Sequence, residues 1–190
     1  MKQLYIIRHT TPDVTPGICY GISDLDVNGS FDEEAAVINK LLKEVNPSSI
    51  YSSPLIRCDK LAQKLFPDSV INYDVRLKEL DFGDWEMQPW ASIDKNTMDK
   101  WANNFMNQSP PNGETFHQLY NRCLQSFNDI EKQTTKGETV AIVSHSGVIR
   151  SLLMRYLEIP ADKIFSLQLN YGCVIKITLH STDYNQVEFL

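Results

Sequence analysis

The chain lacks an excess of positive charge: 18 Lys and Arg stand against 24 Asp and Glu, a formal net charge of −6. Sequence-independent binding along a phosphate backbone needs a basic footprint, so nucleic acid is not an expected partner. Long apolar runs are also missing. None approaches the roughly 18 residues that cross a bilayer, although hydrophobic residues make up 42% of the chain. No membrane span is expected. Lys2 leads straight into a β-prone run without an apolar signal core or a small-residue cleavage site, which makes the cytoplasm the expected location. The four cysteines, Cys19, Cys58, Cys123 and Cys173, contain no CxxC pair and have no histidine nearby at metal-ligand spacing. Neither a zinc site nor a disulfide framework is expected, and they read as reduced, mostly buried thiols. No repeat, low-complexity tract or Gly/Ser linker divides the 190 residues, so one domain over residues 1–190 is expected.

What is present is an alternation of strand and helix signals. Leu4-Tyr5-Ile6-Ile7 is a short apolar run that reads as a buried strand, and Arg8-His9-Thr10 follows it directly. Thr11 to Asn28, with Pro12, Pro16, Gly17 and Gly21, predicts a loop over the end of that strand. Apolar residues from Phe31 to Val45 recur at helical spacing until Asn46-Pro47 stops them. Ser49 to Ser52 predicts a strand, and Ser53-Pro54 an N-cap and first helical residue, with Arg57 in the first turn beyond. A strand is expected over Ser69 to Tyr73, an irregular stretch over Leu77 to Glu86, and helices over Trp90 to Met106 and Glu114 to Glu131. Thr139 to Val143 is a β-branched run of the kind covered on both faces. Ser144-His145-Ser146-Gly147 follows it, then a helix from Val148 to Leu157, and final antiparallel edge strands over Val174 to Leu179 and Val187 to Leu190. The expected fold class is α/β, a three-layer α/β/α sandwich whose mainly parallel central sheet carries helices on both faces.

In such a sheet ligands bind beyond the carboxyl ends of the strands, and His9, Arg57 and His145 each sit just past one. An acidic protein that binds an anion must gather its positive charge locally, with Arg8, Arg57 and Arg150 as candidates. The helix starts at Ser53-Pro54 and Ser146-Gly147 add N–H groups and positive dipole ends at the same edge. Two histidines, two arginines and two helix N-termini suit a phosphoryl group. Cleaving a phosphate ester also needs a proton donor for the leaving alkoxide, and Glu79, Asp81, Asp84 and Glu86 are all candidates, with Leu80, Phe82 and Trp85 as apolar surroundings. Singly, each residue has a plainer reading: His9 and His145 as structural histidines, Arg57 as a helix-surface residue, and Trp85, Trp90 and Trp101 as core. One phosphate pocket accounts for the histidines and arginines together. His117 and His180 have no motif around them and take no role.

These segments resemble the histidine phosphatase superfamily, the phosphoglycerate mutase-like fold. Arg8-His9-Thr10 is similar to its Arg-His signature, Ser52-Ser53-Pro54-Leu55-Ile56-Arg57-Cys58 to its second-strand motif, Leu77 to Glu86 to its acid-bearing motif and Val143-Ser144-His145-Ser146-Gly147 to its second-histidine motif. The resemblance implies that His9 attacks phosphorus and becomes phosphohistidine. It further implies that Arg8, Arg57, His145 and Ser146 hold the phosphoryl oxygens, and that Glu79 is the proton donor that later activates water. The second nitrogen of His9 then donates to a backbone carbonyl. No metal or cofactor is implied, and the partner is a small-molecule phosphomonoester; the oligomeric state is left open, a homodimer included. Gly17-Ile18-Cys19-Tyr20-Gly21 with Asp24 looks like the α-ribazole phosphatase branch, which removes a 5′-phosphate late in cobalamin nucleotide-loop assembly. Asp26-Val27 and Met87 depart from that branch's usual Pro-Leu and glycine. The alternatives are a broad-specificity sugar-phosphate or nucleotide phosphatase, a phosphoglycerate mutase-like enzyme, and, outside catalysis, a phosphate-binding protein.

Overall fold

The computed structural model describes residues 1–180 and 184–190. Six strands form one sheet in the order β3-β2-β4-β1-β5-β6, where β1 is Lys2–Arg8, β2 Ser49–Ser52, β3 Ile71–Tyr73, β4 Thr139–Ser144, β5 Val174–Leu179 and β6 Asn185–Phe189. The first four strands pair in parallel; β5 and β6 add antiparallel at one edge. This is the expected mainly parallel α/β sheet with an antiparallel margin.

The period-two geometry of strands explains the layering. In β1, Leu4 and Ile6 face a core completed by Leu119, Cys123 and Phe127 of α4 (Phe116–Gln133) and by Val148 and Leu152 of α5 (Ser146–Leu157). Tyr5 and Ile7 face the other way, onto Ala35 and Ile38 of α1 (Phe31–Leu41) and Cys58, Leu61 and Ala62 of α2 (Ile56–Leu65). Both faces of the central strands are therefore covered, giving three layers. Leu4, Ile6, Ile7 and Ile142 are all fully buried, which stabilises the sheet by roughly 1.5–3 kcal/mol per side chain. Among the described residues no helix is long and apolar enough to cross a membrane.

Several boundaries differ from the sequence reading. The helical pattern over Trp90 to Met106 resolves into a 3-10 turn at Trp90–Ser92 and a separate helix, α3 (Lys95–Asn103). Asp94 makes the break, because its carboxylate accepts the Thr97 N–H at 2.9 Å and starts α3 afresh. The early helix stops at Leu41 rather than Val45, β3 begins at Ile71 rather than Ser69, and β6 at Asn185 rather than Val187. The last helix begins at Ser146, with His145 as its N-cap residue. Ser53 and Pro54 do not open α2. Leu55 is the N-cap residue, and the first helical N–H, that of Ile56, donates to the Asp24 carboxylate at 2.7 Å. A carboxylate from the early loop thus occupies the dipole end expected to face a phosphate.

Candidate active site

Register brings the expected residues together. Arg8 pairs with Ser144 across β1 and β4, so His9 and His145, each one residue further on, leave the sheet side by side. Their rings meet edge to face, 5.1 Å between centroids. Ser52 pairs with Val143, which sets Ser53 beside them, and the Ser53 hydroxyl lies 2.8 Å from His145 Nε2. Ser53 Oγ also accepts the Leu55 N–H at 3.3 Å. The serine assigned from sequence to a helix cap therefore orients a histidine.

His9 is 1% exposed, and its Nδ1 lies 2.7 Å from the Thr10 carbonyl oxygen. A carbonyl can only accept, so Nδ1 carries the proton and Nε2 keeps its lone pair. Burial holds the His9 pKa well below 6.5, the Arg57 and Arg8 charges lower it further, and the bond to the Thr10 carbonyl opposes them. Burial likewise depresses His145, helped by the charge of Arg57. Both histidines are neutral near pH 7. Arg57 is fully buried and donates from Nη1 to Ser23 O at 2.8 Å and from Nη2 to Gly21 O at 2.6 Å. Arg8 donates to the Leu169 carbonyl. The buried Nε groups of Arg8, Arg57 and Arg150 and the Thr10 hydroxyl have no protein partner, which leaves donor capacity for the oxygens of an anion.

The structure separates the four carboxylate candidates. Glu79 lines the same cavity as Arg8, His9 and Ser146 and is 8% exposed. Its Oε1 accepts the Leu80 N–H at 3.0 Å, and both oxygens lie 3.1 Å from the Gly147 N–H. Ser146, expected to hold phosphate, lines the cavity and donates its hydroxyl to Glu79 Oε2 at 3.1 Å, because the first turn of α5 packs directly on that carboxylate. Glu86 is a strap for the early loop, accepting the N–H groups of Gly21, Ile22 and Ser23 and the Ser23 hydroxyl. Asp81 accepts the Gly83 N–H at 2.7 Å, and Asp84 accepts from Asn112 at 2.9 Å; neither lines the cavity.

Beyond the polar cluster the wall is aromatic. Trp85 is core, as expected, but Trp90 and Trp101 line the cavity with Phe82. The two indoles stack at 28°, 6.4 Å apart, held there by the separate 3-10 turn and helix that carry them. Sequence reading also passed over Arg122, which donates to the backbone carbonyls of Arg76, Lys78 and Glu79 and pairs with Glu114, fixing the Glu79 segment. A lone arginine on a helix carries no signal of that role. His117 and His180 lie outside the cavity, and among the described residues no group of three or more His, Cys, Asp or Glu is arranged to hold a metal.

Residues 4–189 match the Histidine phosphatase superfamily (branch 1). An adenosylcobalamin/alpha-ribazole phosphatase of Escherichia coli is 26% identical over 177 residues, covering 90% of this chain and 87% of its own. A metal-independent phosphoserine phosphatase of Arabidopsis thaliana is 28% identical over 181 residues, covering 90% and 75%. The crystal structure of the alpha-ribazole phosphatase from Shigella flexneri superimposes with a TM-score of 0.88 at 24% identity, covering 99% of this chain and 95% of that one. The match over nearly the whole length, on a fold that brings its two histidines side by side, makes this chain a member of the histidine phosphatase superfamily and a phosphomonoester hydrolase.

Proposed function

We propose that the chain removes the 5′-phosphate of α-ribazole 5′-phosphate, in cobalamin nucleotide-loop assembly, through a metal-independent phosphohistidine mechanism. His9 Nε2 attacks phosphorus, while Arg8, Arg57 and His145 hold the oxygens that gather charge in the transition state. As the P–O bond breaks, Glu79 gives a proton to the leaving 5′-oxygen. Water then attacks the phosphohistidine, Glu79 takes the water's proton, the N–P bond breaks and inorganic phosphate leaves. Ser146 and Gly147 act by aiming Glu79.

The observation that supports this substrate is the wall of Phe82, Trp90 and Trp101 opening directly onto the His9 cluster. A benzimidazole ring is flat and apolar and stacks on such a surface. Phosphoserine would need an anionic partner for its ammonium group, and Glu79, already engaged, is the sole carboxylate among the lining residues. Hydrolysis of α-ribazole 5′-phosphate, phosphoserine, sugar phosphates and p-nitrophenyl phosphate tests the reading, with His9→Ala as control. The kcat/KM for α-ribazole 5′-phosphate is expected to exceed the others by about a hundredfold, roughly 2.7 kcal/mol of selective transition-state binding. A flat profile that vanishes in His9→Ala would keep the chemistry and discard the substrate.

A further inference from the structure

Two tyrosines meet over the phosphoryl cluster. Tyr20 of the early loop and Tyr171, just before β5, share a hydroxyl–hydroxyl hydrogen bond of 2.5 Å across a separation of 151 residues. Each ring lies against one arginine of the cluster. The Arg8 guanidinium carbon is 4.0 Å from the Tyr171 ring centre, and that of Arg57 is 5.5 Å from the Tyr20 ring centre. Tyr171 also packs on the His9 ring, 5.6 Å between centroids. Tyr20 lines the cavity, whereas Tyr171 is 38% exposed. A hydrogen bond between hydroxyls this close to solvent adds little to folding, because water offers nearly the same bond. The bond does bridge the two chain segments that carry the rings. Carbonyl contacts already anchor the tips of both guanidinium groups. The tilt of each plane, on which alignment with phosphoryl oxygens depends, is what the rings restrict.

We propose that Tyr20 and Tyr171 form a clasp that positions Arg8 and Arg57 for the phosphoryl group. Both are positioning residues, acting through the arginines. The clasp concerns the phosphoryl group rather than the leaving group, so it goes beyond the α-ribazole reading; it rests on His9 and the two arginines being the phosphoryl-transfer machinery.

A double-mutant cycle of Tyr20→Phe, Tyr171→Phe and the pair, in the full chain hydrolysing p-nitrophenyl phosphate, tests it. Each single variant is expected to lose about tenfold in kcat with KM within about threefold, and the pair to lose no more than either, because the same bond is missing in all three. Melting temperatures are expected to stay within about 2 °C of the parent, a shift too small for a structural loss to explain the kinetics. Single variants within twofold of parental kcat, or a pair whose loss is the product of the single losses, would overturn the clasp. Tyr171→Leu, which also removes the ring over Arg8, is expected to lose about tenfold more than Tyr171→Phe; an equal loss would overturn the hold on Arg8. Turnover surviving in His9→Ala would instead refute the underlying reading of the site.

Discussion

At the scale of single residues, hydrogen bonds fix how His9 and Glu79 are presented to the cavity. Nδ1 of His9 is committed to the Thr10 carbonyl, so the ring presents one nitrogen in one protonation state. Glu79 is held on both oxygens by the start of α5 yet still faces the cavity, which suits a group that must pass a proton in both directions. Glu79→Gln keeps an acceptor for Gly147 but cannot deliver the proton. Alkyl phosphates, whose leaving oxygens need protonation, are expected to slow by about 10²- to 10³-fold, and p-nitrophenyl phosphate by less than about tenfold. Equal losses on both would move the proton donor elsewhere.

At the scale of elements, the start of α5 joins fold and chemistry. Gly147 leaves room for the carboxylate: a Cβ there would lie 2.3 Å from Glu79 Oε1 and 2.9 Å from Leu119 Cδ2. Gly147 is helical, so the demand is for space and not for unusual backbone angles. In Gly147→Ala the carboxylate has to move, because Leu119 belongs to the packed core on the other side. Hydrolysis of alkyl phosphates is expected to drop at least about tenfold while the protein stays folded, since alanine is the better helix former. Unchanged kcat on alkyl phosphates would mean that the position of Glu79 is not critical. The early loop plays the complementary part. Glu86 gathers its N–H groups, and the same turn supplies the carbonyls of Gly21 and Ser23 that anchor Arg57.

At the scale of the whole molecule, the site makes stability depend on pH. His9 and His145 are buried and neutral, with pKa values held below 6.5 chiefly by burial. Between those depressed values and 6.5 the unfolded chain binds more protons than the folded one, so stability rises with pH through that window and levels off above it. Acidification below pH 6.5 is expected to remove about 1.4 kcal/mol per pH unit for each of the two histidines, read from urea midpoints at pH 7.5, 6.5 and 5.5. His9→Ala should roughly halve that slope. Burial pulls the Asp74 pKa up, but the Arg76 side chain and the Ser126 hydroxyl lower it on balance, so its contribution is lost only below about 3.8, outside the measured range of pH 5.5 to 7.5. Midpoints that do not move between pH 7.5 and 5.5 would contradict the neutral, buried state of both rings.

The sequence by itself determined the layers and the ends of the strands. The unbroken apolar runs from Leu4 to Ile7 and from Val140 to Val143 demand cover on both faces, and that covered, mainly parallel sheet is what forms. Because parallel strands finish at one edge, the placing of His9, Arg57 and His145 was legible from the residues that follow each strand. Residue type and spacing left four carboxylates open and the family resemblance pointed to Glu79; only the tertiary structure shows what sets it apart, by placing it in the cavity. Glu79 and Glu86 lie in one stretch of similar composition, and what parts them is contact with distant chain: α5 for one, the early loop for the other. The same holds for Ser53, which serves His145 and not a helix cap, for the indoles of Trp90 and Trp101, and for Tyr171 over Arg8. Periodicity records which side of an element is apolar. It carries nothing about which partner, far away in the chain, a polar or aromatic side chain will meet.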